Sequence, residues 1–327
     1  MSFNMMKKDG LDARSIIMLV VIAILIIIIG FLVYLYYFGD NVPWLARKNP
    51  SETPGVTETP EPTATEEPAP TPYPVNKEGN TIKERFPVPE GYERVPVEPG
   101  SFAEFLRNHP LKNYGVPAYT YEGIINEEAS IQGVFNQDIT PRDLQQCADA
   151  IMRLWAEYLY EREEYGRISF NFLSGFECDY VSWASGKRVK IDGNEVSWVE
   201  TDAGEDYSYE TFRKYLDMVH AYANTTSLQM QMTPVQVNQL SIGDVFIMTA
   251  QQMSNDYGHA AIIVDMAVHK ETGEKIFLVA EGNMPATETY IVLNDDEMMG
   301  AWHELNNNFE FVKNEWVCPA QFIRRFG

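Results

Sequence analysis

The sequence predicts an α+β domain with an antiparallel sheet packed against helices, preceded by one transmembrane helix and a disordered stalk. Three observations predict this order: an uncharged apolar run, a Pro-, Thr- and Glu-rich tract after it, and helical patterns that precede a series of β-rich segments. We therefore expect a cytoplasmic tail at 1–15, a membrane helix at 16–38, a stalk at 39–85 and an extracytoplasmic α+β domain at 86–327.

The apolar run is long enough to cross a lipid bilayer. At about 1.5 Å per residue, a helix from Ile16 to Phe38 would be roughly 34 Å long, which matches the hydrocarbon core. A secretory signal has a shorter apolar core that is followed by a cleavage site with small residues, and the residues after Phe38 offer no such site. The sequence therefore predicts a single-pass anchor that stays in the cell membrane.

The stalk decides the orientation of this anchor. Three basic residues precede the helix and two follow it, so the positive-inside bias alone is small. The prolines of residues 49–80 favour extended polyproline II, and the glutamates repel one another. A tract of this kind directly after a membrane helix is typical of an extracellular spacer. We therefore expect the N-terminus in the cytoplasm and the C-terminal domain outside it.

The composition argues against several kinds of partner. The formal net charge is −22, and a nucleic-acid-binding surface needs clustered Lys and Arg, so we expect no nucleic acid. The 3 cysteines are too few for a disulfide framework, and they form no zinc motif. Asp256, His259 and Asp265 match no metal-binding spacing. We therefore predict no metal and no cofactor.

Periodicity and capping signals predict the elements of the domain. Thr140-Pro141-Arg142-Asp143 is typical of a helix start, so we expect a helix from Thr140 to Glu163 that holds Cys147 in its second turn. The other predicted elements are a short helix after Ser101, a helix at 207–222, and strands at 119–122, 130–135, 244–249, 259–268, 275–281 and 289–293.

Short motifs in the last third of the chain indicate a function. They are Leu-Ser-Ile-Gly-Asp-Val-Phe at 240–246, Gly-His-Ala-Ala-Ile-Ile-Val at 258–264 and Phe-Leu-Val-Ala-Glu-Gly-Asn at 277–283. Together they resemble the C-terminal half of the CHAP and NlpC-type cysteine amidases and peptidases, which have papain-like folds. In those families the Gly-His strand begins with the catalytic histidine. CHAP domains also carry an upstream Gln-Cys pair, and Gln146-Cys147 has that order here.

A wider resemblance covers most of the predicted extracytoplasmic domain. Arg-Phe-Pro-Val-Pro-Glu-Gly-Tyr at 85–92, Arg-Asp-Leu-Gln-Gln-Cys-Ala-Asp-Ala-Ile-Met-Arg-Leu at 142–154 and the Gly-Asp-Val and Gly-His-Ala motifs resemble an uncharacterised bacterial family, domain of unknown function 4846. This resemblance implies no established activity. It favours Cys147 over Cys178 and Cys318 as a functional residue, because the cysteine of Gln-Gln-Cys-Ala-Asp-Ala belongs to the family pattern.

The resemblances imply a nucleophilic cysteine and its partners. A thiol is a good nucleophile only as a thiolate, so it needs a nearby base that takes its proton and later gives it to the leaving amine. Cys147 and His259 would fill these roles, and Glu281 or Asn283 would hold the imidazole. The backbone N–H of Cys147, with a side-chain amide of Gln145 or Gln146, would stabilise the oxyanion.

Strand register offers a test of this grouping. If 259–268 and 275–283 form a hairpin in which Val268 faces Glu274, His259 lies opposite Asn283, and Glu281 is its diagonal neighbour on the same face. A loop one residue shorter or longer would put His259 on the other face unless a bulge intervenes.

The sequence leaves other interpretations open. Cys147 lies in an apolar stripe and could be a core residue, and Glu281 and Asn283 could be turn residues before Pro285. We therefore keep two hypotheses. The first is a membrane-anchored extracytoplasmic cysteine hydrolase, an amidase or peptidase that acts on cell-wall peptides. The second is a non-catalytic cell-envelope protein on the same fold that binds wall fragments or a partner.

Overall fold

The computed structural model of the protein describes residues 72–327. The predicted cytoplasmic tail, the predicted membrane helix at 16–38 and most of the predicted stalk lie outside these residues. In the part of the chain that is described, no helix is long and apolar enough to cross a membrane.

Residues 72–327 fold into a mixed α+β unit. The helices are α1 (Ile82–Arg85), α2 (Phe102–Arg107), α3 (Cys147–Glu161), α4 (Tyr180–Ala184), α5 (Tyr209–Tyr222), α6 (Thr225–Gln231) and α7 (Ala250–Met253). The strands are β1 (Tyr92–Arg94), β2 (Ser169–Asn171), β3 (Glu177–Asp179), β4 (Arg188–Asp192), β5 (Glu195–Val199), β6 (Thr233–Pro234), β7 (Val245–Met248), β8 (His259–His269), β9 (Lys275–Glu281), β10 (Tyr290–Ile291), β11 (Trp302–His303), β12 (Glu310–Lys313), β13 (Trp316–Pro319) and β14 (Ile323–Arg325).

The main sheet has the antiparallel character that the sequence predicts. Its strand order is β10-β9-β8-β7-β14-β6, while β1 also pairs with β8 and β11 with β9. All of these pairings are antiparallel. The strand pairs β2–β3, β4–β5 and β12–β13 form separate small hairpins. The long strands β8 and β9 are buried almost along their whole length. Both of their faces are covered, so their sequences are nearly continuous apolar runs and do not alternate between apolar and polar residues.

Helix α3 covers this sheet. It packs against β8 and β9, and its apolar side chains, among them Ile151, Leu154 and Leu159, are fully buried. Burial of each such side chain contributes about 1.5–3 kcal/mol to the stability of the folded state. Because α3 is held along its length, its first residue has a fixed position relative to the ends of β8 and β9.

Helix α3 begins later than the sequence predicts. The Thr140 hydroxyl does not cap a helix but donates to the Asp217 carboxylate of α5 at 2.7 Å, and the Arg142 backbone N–H closes a local turn onto the Thr140 carbonyl. The α-helical residues start at Cys147, and Gln146 is the N-cap. The predicted position of Cys147 in a second helical turn is therefore wrong, because a long-range contact takes the capping side chain.

Two predicted strands are irregular segments in the structure. Residues 119–122 and 130–135 contribute only isolated bridges, such as Thr120 with Thr287 and Val134 with Tyr290. Their residues lie beside the segment around β10 but do not form a continuous series of strand hydrogen bonds with it.

The packed structure also begins before residue 86. Helix α1 lies within the predicted stalk, yet its Ile82 and Arg85 side chains are buried. The Arg85 guanidinium donates to the backbone carbonyls of Gly79, Gln132 and Lys112. The end of the Pro-rich composition is thus not the start of the domain.

A β-bulge sets the register of β8 against β9. Val268 pairs with Lys275 rather than with Glu274, so the predicted hairpin loop is one residue too short. The register shifts between Ile263 and Asp265, and beyond the shift Ile262 pairs with Ala280. The bulge offsets the longer loop, so His259 and Glu281 lie on the same face of the sheet as predicted.

A buried ion cluster lies next to this bulge. The Asp265 carboxylate is fully buried and accepts hydrogen bonds from the Nε atoms of Arg94 and Arg107, each at 2.7 Å. Arg94 belongs to β1 and Arg107 to α2. The cluster therefore ties the N-terminal elements of the domain to its central strand.

We expect Asp265→Asn to lower the free energy of unfolding by about 3–5 kcal/mol, because it leaves two guanidinium groups without their buried counterion. Urea titration followed by tryptophan fluorescence measures this change. The control Glu210→Gln breaks an exposed pair with Lys214 and should change it by less than about 0.5 kcal/mol. A loss of less than about 1 kcal/mol for Asp265→Asn would show that the cluster is not a major stabilising element.

Candidate active site

Cys147 stands at the N-terminus of α3. It is the first residue of the helix, it is half-buried, and its Sγ lies 4.0 Å from the Gly258 carbonyl oxygen. The backbone N–H groups of a first helical turn have no intrahelical acceptor, and the helix dipole favours a negative charge at this end. The position is therefore suited to a thiolate and to a developing oxyanion.

His259 connects this cysteine with the sheet. It is the first residue of β8, and its side chain is 19% exposed. The Nε2 atom lies 3.0 Å from Oε2 of Glu281, and the Cys147 side chain lies close enough to the imidazole to raise its pKa. The structure thus brings together Cys147, His259 and Glu281, which lie far apart in the sequence.

Glu281 is held by three partners although it is fully buried. Besides the contact with His259, its Oε1 accepts a hydrogen bond from the Tyr290 hydroxyl at 2.6 Å and one from the Lys313 ammonium. Burial alone would raise the pKa of the Glu281 carboxyl, but His259 and Lys313 outweigh it and lower the pKa to about 2. Glu281 is therefore an anion at neutral pH.

The same contacts determine the charge of His259. Burial alone would lower the pKa of its imidazole, but the hydrogen bonds and charges of Cys147 and Glu281 raise it to about 9. The imidazole is therefore protonated at neutral pH, with the Glu281 carboxylate as its hydrogen-bond partner and the Cys147 sulfur nearby. An imidazolium in this position favours the thiolate form of a neighbouring cysteine.

The hairpin of β12 and β13 contacts both His259 and Glu281. Trp316 of β13 meets the His259 ring edge to face, with centroids 4.5 Å apart and an angle of 81° between the planes. Lys313, at the end of β12, reaches Glu281. Sequence reasoning missed Lys313, Trp316 and Tyr290, because a Lys or Trp beside a turn and a Tyr in a short strand carry no local signal of a site.

Two glycines allow the close packing of these segments. A Cβ atom at Gly258 would lie 2.5 Å from the Met248 carbonyl oxygen, and one at Gly282 would lie 3.1 Å from the Gln146 carbonyl oxygen. Gly258 precedes His259, and Gly282 follows Glu281. Gly258 therefore lets the start of β8 approach the end of β7, and Gly282 lets the segment after β9 approach the first turn of α3.

A cavity of about 600 Å³ opens beside Cys147 and His259. Its lining includes Gln146, Asn283, His220 and Tyr257. Tyr257 is 60% exposed, so the cavity is open to solvent at this side. A ligand larger than a water molecule can thus reach the Cys147 sulfur and the His259 imidazole.

The remaining predicted residues have different surroundings. The Asn283 side chain is half-buried and lines the cavity, and its Oδ1 accepts a hydrogen bond from the Met284 backbone N–H at 2.8 Å. Gln146 lines the cavity, and its Nε2 donates to Asp143 at 3.1 Å. Gln145 is 2% exposed, and its Oε1 accepts a hydrogen bond from the buried Arg153 at 2.8 Å. Gln146 is therefore the better placed of the two amides.

The other two cysteines are core residues. Cys178 and Cys318 are fully buried, and all three cysteines are free thiols. Burial raises the pKa of the Cys178 thiol, and it raises that of Cys318 to about 12. Across residues 72–327, no group of three or more His, Cys, Asp and Glu side chains is placed to hold a metal ion.

The fold and the side-chain cluster define a mixed α+β domain in which the N-terminus of one helix meets the end of an antiparallel hairpin. The chain belongs to the family described as domain of unknown function 4846, whose sequence profile matches residues 82–325. A comparison with curated proteins and a comparison with solved structures gave no significant match.

Proposed function

We propose that this protein is a membrane-anchored extracytoplasmic cysteine hydrolase, an amidase or peptidase with a papain-like arrangement of helix and sheet, that cleaves amide bonds of cell-wall peptides. One observation carries the proposal. Cys147 at the start of α3 lines the same cavity as His259 and lies close enough to raise the pKa of its imidazole, and His259 is held by the buried Glu281. This combination supplies a nucleophile, an acid–base group and an orienting group.

The first half of the reaction forms an acyl-enzyme. The Cys147 thiolate attacks the carbonyl carbon of the amide, and the electron pair of the C=O bond moves to the oxygen. The tetrahedral intermediate collapses as the C–N bond breaks, and the His259 imidazolium gives its proton to the departing nitrogen. The products of this half are a free amine and a thioester on Cys147.

The second half restores the enzyme. The now neutral His259 takes a proton from water, and the resulting hydroxide attacks the thioester carbonyl. The C–S bond then breaks, so a carboxylic acid leaves and the thiolate–imidazolium pair returns. In both halves the backbone N–H of Cys147 and the Gln146 amide are the proposed donors to the oxyanion.

The proposed place of action follows from the N-terminal region. A retained membrane helix and a Pro-rich spacer would hold the domain in the cell envelope, where peptidoglycan peptides offer amide bonds. The net charge of −22 is unfavourable for binding to anionic polymers by charge alone.

Thiol alkylation tests the chemical core of this proposal. At pH 6, where a free cysteine is almost entirely protonated, we expect iodoacetamide to modify Cys147 at least about tenfold faster than free cysteine, because the imidazolium stabilises its thiolate. Peptide mass spectrometry of the full-length protein locates the modification. Cys178 and Cys318 serve as internal controls, because both are buried and should stay unmodified.

The variant His259→Ala shows whether the reactivity comes from the proposed pair. It should bring the alkylation rate of Cys147 down to that of free cysteine or below. If Cys147 of the unaltered protein already reacts no faster than free cysteine, the hydrolase proposal fails, and a non-catalytic envelope-binding role becomes the better explanation.

A further inference from the structure

The cavity beside Cys147 and His259 adjoins a second cavity at the C-terminal end of α5. This second cavity has a volume of about 580 Å³, and Ala221, Ala223 and Asn224 line both it and the central cavity. Its other walls come from the residues after β2 and from the hairpin of β4 and β5, so we call it the hairpin-side cavity. A ligand that lies over Cys147 can therefore extend into it.

A third cavity adjoins the central one at a different part of its wall. It has a volume of about 470 Å³, and Asn283 and Met284 line both cavities. Its other walls include the loop at 124–128, so we call it the loop-side cavity. Among the described lining residues, none is common to the two side cavities. The three cavities are therefore neighbouring parts of one groove, with Cys147 in the central part.

Both side cavities present large apolar side chains to solvent. The hairpin-side cavity contains Leu173, which is 61% exposed, and the exposed Tyr222. The loop-side cavity contains Ile124, which is 60% exposed, together with the exposed Ile125 and Met284. Single exposed apolar residues are ordinary, but neighbouring ones in a concave surface mark a binding site. Each side cavity is therefore suited to an apolar group of a ligand.

Backbone hydrogen bonds hold the walls of both side cavities in place. The Leu173 N–H donates to the Tyr222 carbonyl oxygen at 3.0 Å, which ties the residues after β2 to the end of α5. On the other side, the Tyr121 N–H donates to the Ala286 carbonyl oxygen at 2.9 Å, which ties the 120–128 segment to the residues after Met284. Walls that are already fixed reduce the entropy cost of binding a ligand.

The positions of the two side cavities restrict the chemistry of the ligand. It needs an amide that reaches Cys147 and apolar groups that extend from that amide in two directions. A fatty-acid amide has an apolar chain on one side only, and a simple amide has none. An extended peptide carries a side chain about every 3.3 Å on both sides of each amide. A peptide chain is therefore the ligand that fits all three cavities.

We propose that the substrate is a peptide chain that continues on both sides of the scissile amide and places one apolar side chain in each side cavity. Leu173 and Tyr222 contact the apolar residue on one side, and Ile124 and Met284 contact the one on the other. Cleavage is then internal to the chain and does not release single terminal residues. This inference rests on the proposed hydrolase function, which it narrows to an endopeptidase.

Two sets of thiol-reactive peptides test the two directions separately. Peptidyl chloromethyl ketones carry the peptide on the acyl side of the reactive carbon, and chloroacetyl peptide amides carry it on the amine side. In both, the Cys147 thiolate displaces chloride and forms a thioether. The residue at the second or third position from the reactive carbon is leucine or serine, and the other residues are glycine.

The measured quantity is the ratio of the leucine reagent's rate to the serine reagent's rate at Cys147 in the full-length protein, divided by the same ratio for free cysteine. Because a leucine side chain gains from leaving water and a serine side chain does not, this normalised ratio should reach about fivefold or more at one position in each set. A ratio near one in either set overturns the proposal.

Leu173→Ser and Ile124→Ser separate the two side cavities. Both side chains are more than half exposed, so the fold should be retained. Each variant should bring the normalised ratio below about twofold in one set and leave the other set unchanged, and the two variants should affect opposite sets. The control Met230→Ser removes an exposed apolar side chain outside the three cavities and should change neither ratio. Loss of preference in the same set for both variants contradicts the two-sided groove.

The readouts keep this proposal apart from the hydrolase proposal. If Cys147 reacts faster than free cysteine with every reagent but without a preference for leucine, the groove proposal fails and the hydrolase proposal stands. If it reacts no faster than free cysteine with the serine reagents but keeps both leucine preferences, the groove stands as a peptide-binding surface and the hydrolase proposal fails.

Discussion

Cys147→Ala should reduce amide hydrolysis by at least about 10³-fold, because no other group in the cavity can form the thioester. The measurement is the release of new amine and carboxyl ends from cell-wall peptide fragments, followed by mass spectrometry. The residual activity that binding and oxyanion stabilisation alone could provide is small in comparison.

Two further results are expected, one for the stability of this variant and one for a control variant. The fold should be retained, because Cys147 is only half-buried and an alanine fits a first helical turn, so the thermal unfolding midpoint should stay nearly unchanged. The control Cys318→Ala removes a thiol from the core and should lower stability while turnover persists. Cleavage by the Cys147→Ala protein at an undiminished rate would remove Cys147 from the mechanism.

Glu281→Gln should lower turnover by about 10²-fold or more and move the alkaline limit of activity to lower pH. In the unaltered protein, Cys147 and Glu281 overcome the effect of burial and raise the pKa of His259 to about 9. Without the carboxylate charge, burial has more weight, so the pKa of His259 falls and the imidazolium is lost earlier as pH rises. The pH profile of kcat/KM measures the shift.

Lys313→Met provides the matched comparison. It also removes a charged group that touches Glu281, but the lost charge is positive. Loss of a neighbouring cation cannot make an imidazolium less stable, so the alkaline limit should not move to lower pH. If both variants shift the limit downward by the same amount, the effect is a structural disturbance and Glu281 does not control the charge of His259.

The sequence predicts the sheet better than it predicts the start of α3. The runs at 259–268 and 275–281 are continuous and rich in β-forming residues, and both form strands near these bounds. The capping signal at Thr140 is equally clear, yet its hydroxyl binds Asp217 of a distant helix. A local propensity was overridden by a long-range hydrogen bond that no pattern within the segment reveals.

Motif resemblance predicted Cys147 and His259 as site residues, and strand periodicity predicted which side chains of the sheet lie beside the imidazole. A period of two placed His259 and Glu281 on one face, and the structure has them in contact because a longer loop and a bulge offset each other. The approach of Lys313 to Glu281 and of Trp316 to His259 depends on how separate segments fold over one another. Such three-dimensional neighbours leave no spacing rule in the chain.

The bulge near Val264 decides on which face of the sheet the His259 side chain lies. Side chains alternate between two faces, so a hairpin that closed without the extra residue would exchange odd and even positions from there to residue 259. The His259 imidazole would then point to the opposite face of the sheet, away from Glu281. A molecule with the wrong register would thus lack the pairing of His259 with Glu281 that the proposed reaction needs, and the ion pairs of Asp265 beside the bulge link the native register to β1 and α2.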